Sequence, residues 1–290
     1  MYPAPFEYYT PTTMGEALAL LAQNSDAKIL AGGHSLIPLM KLRLAQPAAL
    51  IDLAKISDLR GIHDMGDYIA IGALTTHHEV EYSALLRNAC PLLPEVASHI
   101  GDRQVRNRGT IGGSLAHADP SADYPAAMLA LGATVQAQGS GGKRGINADD
   151  LFTGLFSTAL NGNEILTAVH VPKTDAKGSG VAYAKFPHPA SRYAVAGVAV
   201  WVKLGNDQVS DIRIGVTGAA DHAQRATKAE AALKGKPMNE DNVAAAAKLA
   251  SDGLATLGDM FASSEYRAHL VQAMTLDALN EAHHRAHGWH

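Results

Sequence analysis

Two glycine-containing segments, far apart in the sequence, constrain the fold of this chain more than any other feature. The first segment reads Ala31-Gly32-Gly33-His34-Ser35 and is followed by Leu36, and the second reads Gly109-Thr110-Ile111-Gly112-Gly113-Ser114. Adjacent glycines let the backbone take positive φ and approach a ligand closely, and the amides of such a turn can converge on an anion. One Gly-Gly pair is typical of an ordinary tight turn. Two such segments predict a site for a diphosphate.

Composition and charge limit the classes of function. The chain has 290 residues, of which 47% are hydrophobic and 18% charged, enough for about two globular domains. Its formal net charge of −4 does not indicate a nucleic-acid-binding protein. The sequence has neither a signal-peptide pattern at Met1 nor an apolar run that could span a membrane. We therefore expect a cytoplasmic protein that binds no nucleic acid and has no membrane-spanning segment.

Cys90 is the single cysteine of the chain. One thiol cannot form an internal disulfide, and it cannot by itself build a zinc ribbon or a thiolate-ligated iron–sulfur cluster. The sequence also lacks a Gly-x-Ser-x-Gly nucleophile elbow. We therefore predict no catalytic side chain and no metal ligands within this chain.

The order of predicted elements favours an α+β fold in two parts. Short strands and helices alternate as far as the strand at residues 164–172, and residues 173–180 are small or charged, which is typical of a domain boundary. We place the domains at residues 1–175 and 176–290. The second domain is expected to contain a three-stranded antiparallel sheet, from residues 181–186, 195–204 and 209–216. Helices at residues 227–233, 240–255 and 264–286 are expected to cover that sheet.

The two glycine segments resemble the diphosphate-binding motifs of the FAD-binding medium subunit of molybdenum hydroxylases. This group contains aerobic carbon monoxide dehydrogenase and the xanthine dehydrogenases. The resemblance continues in several further segments, which are Leu36-Ile37-Pro38-Leu39-Met40-Lys41, Ile71-Gly72-Ala73, Gln104-Val105-Arg106-Asn107-Arg108, Ala118-Asp119-Pro120-Ser121-Ala122-Asp123 and Ile212-Arg213-Ile214-Gly215.

This resemblance implies a fold, a cofactor and partners. The fold would be a two-part FAD-binding region of the vanillyl-alcohol-oxidase-like (PCMH-type) fold, followed by the C-terminal domain of the carbon monoxide dehydrogenase flavoprotein. The chain would bind FAD noncovalently, with the diphosphate against the backbone amides of residues 32–35 and 110–113. A large subunit would hold the molybdenum cofactor, and a small subunit would hold two 2Fe-2S clusters. The complex would be a dimer of heterotrimers that passes electrons to an external acceptor.

The resemblance also implies roles for side chains outside the two loops. Asp123 matches a family aspartate that accepts hydrogen bonds from the adenosine ribose, although an acid there also suits the first turn of a helix. Lys185 and Tyr193 match positions close to the flavin ring, and Tyr193 could instead be a core aromatic. We include Leu166 in the predicted cofactor-binding set. Arg192 stands where the carbon monoxide dehydrogenases usually have an acid, which favours an aldehyde or an N-heterocycle as the substrate of the complex.

Two other interpretations of the sequence remain open. A free-standing FAD oxidase of the same wider fold also uses Gly-Gly-His-Ser loops, sometimes with FAD bound covalently to a histidine. Such an enzyme normally needs a larger substrate domain with its own acid and base residues. A flavin-free assembly protein is the third interpretation, and the intact glycine loops argue against it.

Overall fold

A computed structural model describes residues 1–174 and 177–288 of the chain, and the predicted domain boundary between residues 175 and 176 lies outside the described residues. The strands are β1 Glu7–Tyr9, β2 Ala27–Leu30, β3 Ala49–Asp52, β4 Ile62–Asp64, β5 Tyr68–Gly72, β6 Thr134–Gly139, β7 Gly142–Asn147, β8 Phe152–Gly154, β9 Ser157–Thr158, β10 Ile165–Pro172, β11 Ser179–Pro187, β12 Ala194–Gly205, β13 Gln208–Thr217 and β14 Gln224–Arg225. The α-helices are α1 Met14–Gln23, α2 Leu36–Lys41, α3 His77–Tyr82, α4 Ala84–Ala89, α5 Leu92–Ser98, α6 Arg103–Arg106, α7 Ile111–His117, α8 Tyr124–Leu131, α9 Ala148–Leu151, α10 Thr227–Leu233, α11 Glu240–Lys248 and α12 Ser264–Ala286.

The first part of the chain contains two main sheets. A three-stranded sheet has the order β1-β3-β2, and both of its strand pairs are parallel. A five-stranded antiparallel sheet has the order β4-β5-β10-β6-β7. Its central strand, β10, is the last of the five in the sequence and pairs with both β5 and β6. The first glycine loop connects β2 to α2, and the second leads into α7. The first loop thus ends where α2 begins, whereas residues 111–114 of the second segment form the first turn of α7.

The C-terminal sheet has four strands in the order β11-β12-β13-β14, so the prediction of three strands was wrong by one. The additional strand, β14, contains only Gln224 and Arg225, which pair with Gly215 and Val216 of β13. Two polar residues cannot produce the apolar alternation by which a half-buried strand is recognised. The long helix α12 packs closely on β11. The close packing is evident at Gly180, where a Cβ would lie 2.7 Å from the carbonyl carbon of Ala282.

Helix α8 joins the two parts of the molecule. All eight of its residues are buried, and its carbonyls lie against β13: Arg213 Nε donates to Leu129 O at 2.8 Å. A Cβ at Gly215 would lie 3.1 Å from Ala126 Cα, so the helix rests directly on the sheet. Because α8 lies between the first part and the C-terminal sheet, the residue before it, Asp123, lies at their junction.

The helices of the C-terminal part were largely predicted from the sequence. The bounds of α10 and α12 match the expected ranges, whereas α11 ends at Lys248 rather than near residue 255. Gly253, at φ +95°, lies in the turn that replaces the missing end of this helix. Within residues 1–174 and 177–288, no helix is long and apolar enough to cross a membrane.

Candidate functional site

The first glycine loop presents free backbone donors. Gly33 has φ +76°, a conformation that favours glycine, and residues 31–33 and 35 are half-buried while His34 is exposed. None of the backbone N–H groups of residues 32–35 donates a hydrogen bond to another described residue. Ser35 precedes α2 without a side-chain cap. Four accessible, unpaired amides in one turn suit an anionic ligand.

The second glycine loop differs, because most of its amides are already bonded within the chain. Ile111 N donates to Thr75 O at 3.0 Å, and Gly112 N donates to Ala73 O at 2.9 Å. Gly113 N donates to the Thr110 hydroxyl at 3.1 Å, which caps α7. These three amides, which we expect to lie against a diphosphate, therefore already have partners within the chain. Their bonds fix the shape of the loop.

The two loops are in direct contact. A Cβ at Gly32 would lie 2.7 Å from Gly109 Cα and 2.9 Å from the carbonyl carbon of Arg108, and closer still to its oxygen. A Cβ at Gly113 would lie 3.6 Å from Ala31 Cβ, an ordinary contact distance. Glycine at position 32 thus lets the free amides of the first loop lie beside the second loop. The resulting surface combines segments that the sequence separates widely.

His77 supports the second loop from beneath. Its backbone N–H donates to Gly109 O at 2.9 Å, and a Cβ at Gly109 would lie 2.5 Å from the imidazole Nε2. Burial lowers the pKa of His77 to about 3, with the nearby His34 adding to the effect, so the imidazole is neutral. The described residues contain no group of three potential metal-ligating side chains. We therefore assign His77 to packing beneath the loop.

Asp123, Lys185 and Tyr183 form a buried polar group at the junction of the two parts. Lys185 Nζ lies 2.8 Å from Asp123 Oδ1, and the two side chains are 2% and 5% exposed. The Tyr183 hydroxyl donates to the same oxygen at 2.6 Å. Lys185 Nζ also donates to the carbonyl of His99 at 3.0 Å. Burial raises the pKa of Asp123, and the two donors oppose that increase.

The ion pair places side by side two residues for which we predict different roles. The resemblance implies that Asp123 contacts the adenosine ribose and Lys185 the flavin ring, which lie at opposite ends of an extended dinucleotide. The 2.8 Å ion pair puts both side chains at one point of the site. Asp123 directly precedes α8, and its side chain makes no capping hydrogen bond to that helix. A ligand group that contacts one of these two side chains therefore lies close to the other.

Tyr193 brings the C-terminal part to the first glycine loop. Its side chain interacts with the Ser35 hydroxyl, while burial and then the Asp119 carboxylate raise its pKa. The residue is 42% exposed, so it is not a core aromatic. Its neighbour Ala194 donates to Ser121 O at 3.1 Å, which fixes the turn against the segment before α8. A half-exposed ring beside the free amides suits stacking on a planar ligand.

The remaining predicted residues lie in the surrounding framework. Leu36 begins α2, Ser114 is half-buried in α7, and Leu166 is 5% exposed in the core around β10. Thr167 O accepts from Ala73 N at 2.9 Å, which links β10 to the residue that anchors Gly112. The structure thus joins both loops with Tyr193, and it joins Asp123 with Lys185 in the same junction. Leu166 belongs to the core behind them.

Tyr183 was missed by sequence reasoning. The available signal was its spacing, because residues two apart on a strand share a face, and Tyr183 is two residues before Lys185 on β11. An aromatic residue in an apolar strand is usually a core residue, so the spacing alone did not distinguish a hydrogen-bonding role.

Comparison with known proteins identifies the family of this chain. Residues 4–174 match the family model described as the FAD binding domain in molybdopterin dehydrogenase, and residues 181–282 match the CO dehydrogenase flavoprotein C-terminal domain. The chain is 42% identical to the carbon monoxide dehydrogenase medium chain of Hydrogenophaga pseudoflava, over 97% of this chain and 98% of that one. It is 38% identical to the nicotine 6-hydroxylase medium subunit of Paenarthrobacter nicotinovorans, over 95% and 96% of the two chains.

A solved structure is similar over nearly the whole length. It is the carbon monoxide dehydrogenase of Hydrogenophaga pseudoflava that lacks the Mo-pyranopterin moiety of the molybdenum cofactor. The TM-score is 0.96 at 44% identity, covering 98% of this chain and 99% of the other. The chain therefore belongs to the family of FAD-binding subunits of molybdenum-containing dehydrogenases and is an oxidoreductase subunit.

Proposed function

We propose that this chain binds one FAD noncovalently and acts as the electron-transfer subunit of a molybdenum hydroxylase. Its FAD would take electrons from iron–sulfur clusters of a small partner subunit and pass them to an external acceptor. The observation that carries this proposal is the contact between the two glycine loops, which sets four free amides on one accessible surface. Family membership supports the identity of the ligand.

The residues fit a dinucleotide in several respects. The amides of residues 32–35 would hold the diphosphate, and the small residues of the second loop would leave room for it. The half-exposed Tyr193 would cover part of the flavin ring. FAD, when bound, supplies one-electron and two-electron redox chemistry that no side chain of this protein can supply. The chain's residues bind and orient it.

We assign the neighbourhood of Asp123 and Lys185 to the flavin half of FAD. Tyr193 is hydrogen-bonded to the side chain of Ser35 in the first loop, and it lies close enough to Asp123 for that charge to raise its pKa, while Asp123 in turn contacts Lys185. Lys185 and Tyr193 match flavin-side positions of the family, and only Asp123 matches an adenosine-side position. Asp123 would then accept from hydroxyl groups of the ribityl chain.

Because the chain has a single cysteine, the iron–sulfur clusters that would deliver electrons to FAD must lie in a partner subunit. Cys90 is fully buried, and burial raises the pKa of its thiol to about 12, so it forms no thiolate at neutral pH. One such thiol cannot ligate an iron–sulfur cluster. We therefore propose a small iron–sulfur subunit and a large molybdenum subunit as partners, assembled as a dimer of heterotrimers. The substrate would be oxidised in the large subunit.

Anaerobic reduction of the FAD-loaded chain tests this division of labour. Dithionite should bleach the flavin absorbance, whereas carbon monoxide, benzaldehyde and xanthine should leave it unchanged. Addition of the partner subunits should restore bleaching by the true substrate. Bleaching by one of the three compounds with the chain alone, shown to be free of molybdenum and iron, would instead identify a free-standing oxidase.

A further inference from the structure

The hydroxyl of Tyr183 makes its hydrogen bond to one carboxylate oxygen of Asp123, across the junction of the two parts. It donates to Asp123 Oδ1 at 2.6 Å, and both residues are about 5% exposed. Lys185 binds the same oxygen. No described residue donates a hydrogen bond to Asp123 Oδ2. The carboxylate therefore has one fully used oxygen and one that remains available to a ligand.

The neighbouring strand keeps a space for this hydroxyl. Gly197 of β12 pairs with Lys185 of β11, next to Tyr183 along the strand. A Cβ at Gly197 would lie 2.5 Å from the Tyr183 hydroxyl oxygen and 3.2 Å from Cζ. Any larger residue at position 197 would displace the phenol. The glycine and the tyrosine thus form a matched pair that directs the hydroxyl toward Asp123.

We propose that Tyr183 is a positioning residue for FAD binding, which together with Lys185 holds Asp123 as an oriented carboxylate and leaves its Oδ2 to accept from a hydroxyl of the cofactor. This inference rests on the proposed function. The ligand group it requires is a polyol or ribose hydroxyl rather than a phosphate, because a second anion beside Asp123 would be repelled.

The ionisation of Asp123 depends on its surroundings. Burial raises its pKa, and the charge of Lys185 with the two hydrogen bonds lowers it again. Burial and Asp123 itself raise the pKa of Tyr183 well above its ordinary value, so the phenol remains a donor. The titratable or charged groups that face Asp123 are Lys185 and Tyr183 on β11, His99 after α5, Tyr124 on α8 and Tyr193 in the turn before β12.

The sign of the expected pH effect follows from these contacts. FAD binding that uses ionised Asp123 weakens as the pH falls through the pKa of this carboxyl in the free protein. Removing the Tyr183 hydroxyl removes one of the groups that lower that pKa. On the acid side of a plot of FAD affinity against pH, the acid limb, the affinity falls. This limb should therefore lie at higher pH in the Tyr183→Phe variant.

The test is the dissociation constant of FAD for the full chain, measured by flavin fluorescence across a pH series. Tyr183→Phe should weaken binding about tenfold at neutral pH, in line with a lost hydrogen bond to a charged group. In this variant the loss of FAD affinity at acid pH should begin at a higher pH than in the wild type. The control is Ser210→Ala, which removes a 2.9 Å hydrogen bond from the Ser210 hydroxyl to Lys203 O near the turn between β12 and β13, at the end of this hairpin opposite Gly197. The control should bind FAD as wild type does at every pH.

A second variant separates positioning from general damage to the fold. Gly197→Ala should weaken FAD binding because the added Cβ displaces the Tyr183 hydroxyl. The same substitution should therefore change FAD affinity less in a protein that already carries Tyr183→Phe. A merely structural role of Tyr183 would lower the melting temperature and leave the acid limb where it is in wild type, and that result would overturn the inference. Wild-type protein that binds no FAD would overturn the proposed function instead, so the two failures are distinguishable.

Discussion

The replacement Gly32→Ala tests whether contact between the two loops creates the binding surface. The added Cβ would lie 2.7 Å from Gly109 Cα and 2.9 Å from the carbonyl carbon of Arg108. Ordinary contacts begin near 3.4 Å, so the backbones of the two loops must move apart by at least about 0.7 Å to clear Gly109 Cα alone. Both obstructing groups are backbone atoms, which cannot rotate out of the way. Overpacking of this kind costs about 1–3 kcal/mol.

We expect this strain to appear in FAD affinity. Separation of the loops moves the amides of residues 32–35 relative to the second loop, so the dissociation constant of FAD should rise about tenfold or more, since each tenfold is about 1.4 kcal/mol. Titration followed by flavin fluorescence measures this change, and thermal unfolding without FAD should show a decrease of a few degrees.

Gly162→Ala is the matched control for this experiment. A Cβ at Gly162 would meet nothing within 4 Å, and the residue is exposed in a turn. Its effect on stability should stay within about 0.5 kcal/mol, and FAD affinity should not change. If Gly32→Ala bound FAD as tightly as this control does, the contact between the loops would not be what forms the site.

Three further predictions concern the junction and the pH dependence of stability. Asp123→Ala should weaken FAD binding while leaving ADP affinity unchanged, measured by calorimetry; an equal loss for ADP would return Asp123 to the adenosine end. In the assembled complex, Tyr193→Ala should change the rate at which an artificial acceptor such as ferricyanide oxidises the bound flavin while leaving substrate-dependent reduction of the metal centres intact, and an unchanged acceptor rate in stopped flow would remove Tyr193 from the flavin face. Arg144 lowers the pKa of Glu164 to about 2 from 4.5, chiefly by a side-chain hydrogen bond, so the stability this pair adds is present above pH 4.5 and lost as the pH falls toward 2. Urea unfolding of Glu164→Gln should lack this loss, and a profile identical to that of wild type would contradict the assignment.

Local patterns in the sequence predicted the elements that local chemistry determines. The bounds of α10 and α12 follow from apolar periodicity and from caps such as Ser263, whose side chain accepts from Tyr266 N. The hairpin of β12 and β13 follows from the turn between them. In contrast, β14 has only two polar residues, and its place is set by pairing with β13 rather than by its own sequence.

The glycine loops were found in the sequence, but the sequence did not show that the amides of the second loop are mostly bonded within the chain while those of the first are free. A Gly-Gly pair indicates where the backbone can approach a ligand, and it does not indicate which amides are already bonded. The amide of Gly112 is used by Ala73, a contact between segments distant in the chain. The ion pair of Asp123 with Lys185 likewise depends on how α8 rests on the C-terminal sheet. Such contacts are tertiary, so single-sequence patterns do not contain them.

The central claim is that this chain holds one FAD, noncovalently, at the two glycine loops. The most direct measurement is the amount of FAD bound to the purified chain after incubation with excess FAD and removal of the unbound cofactor, followed by acid precipitation. We predict one FAD per chain, all of it released into the supernatant, and none bound by Gly33→Val, where a β-branched residue would have to adopt φ +76°. Flavin retained in the precipitate, no flavin bound by wild type, or full occupancy in Gly33→Val would contradict the account.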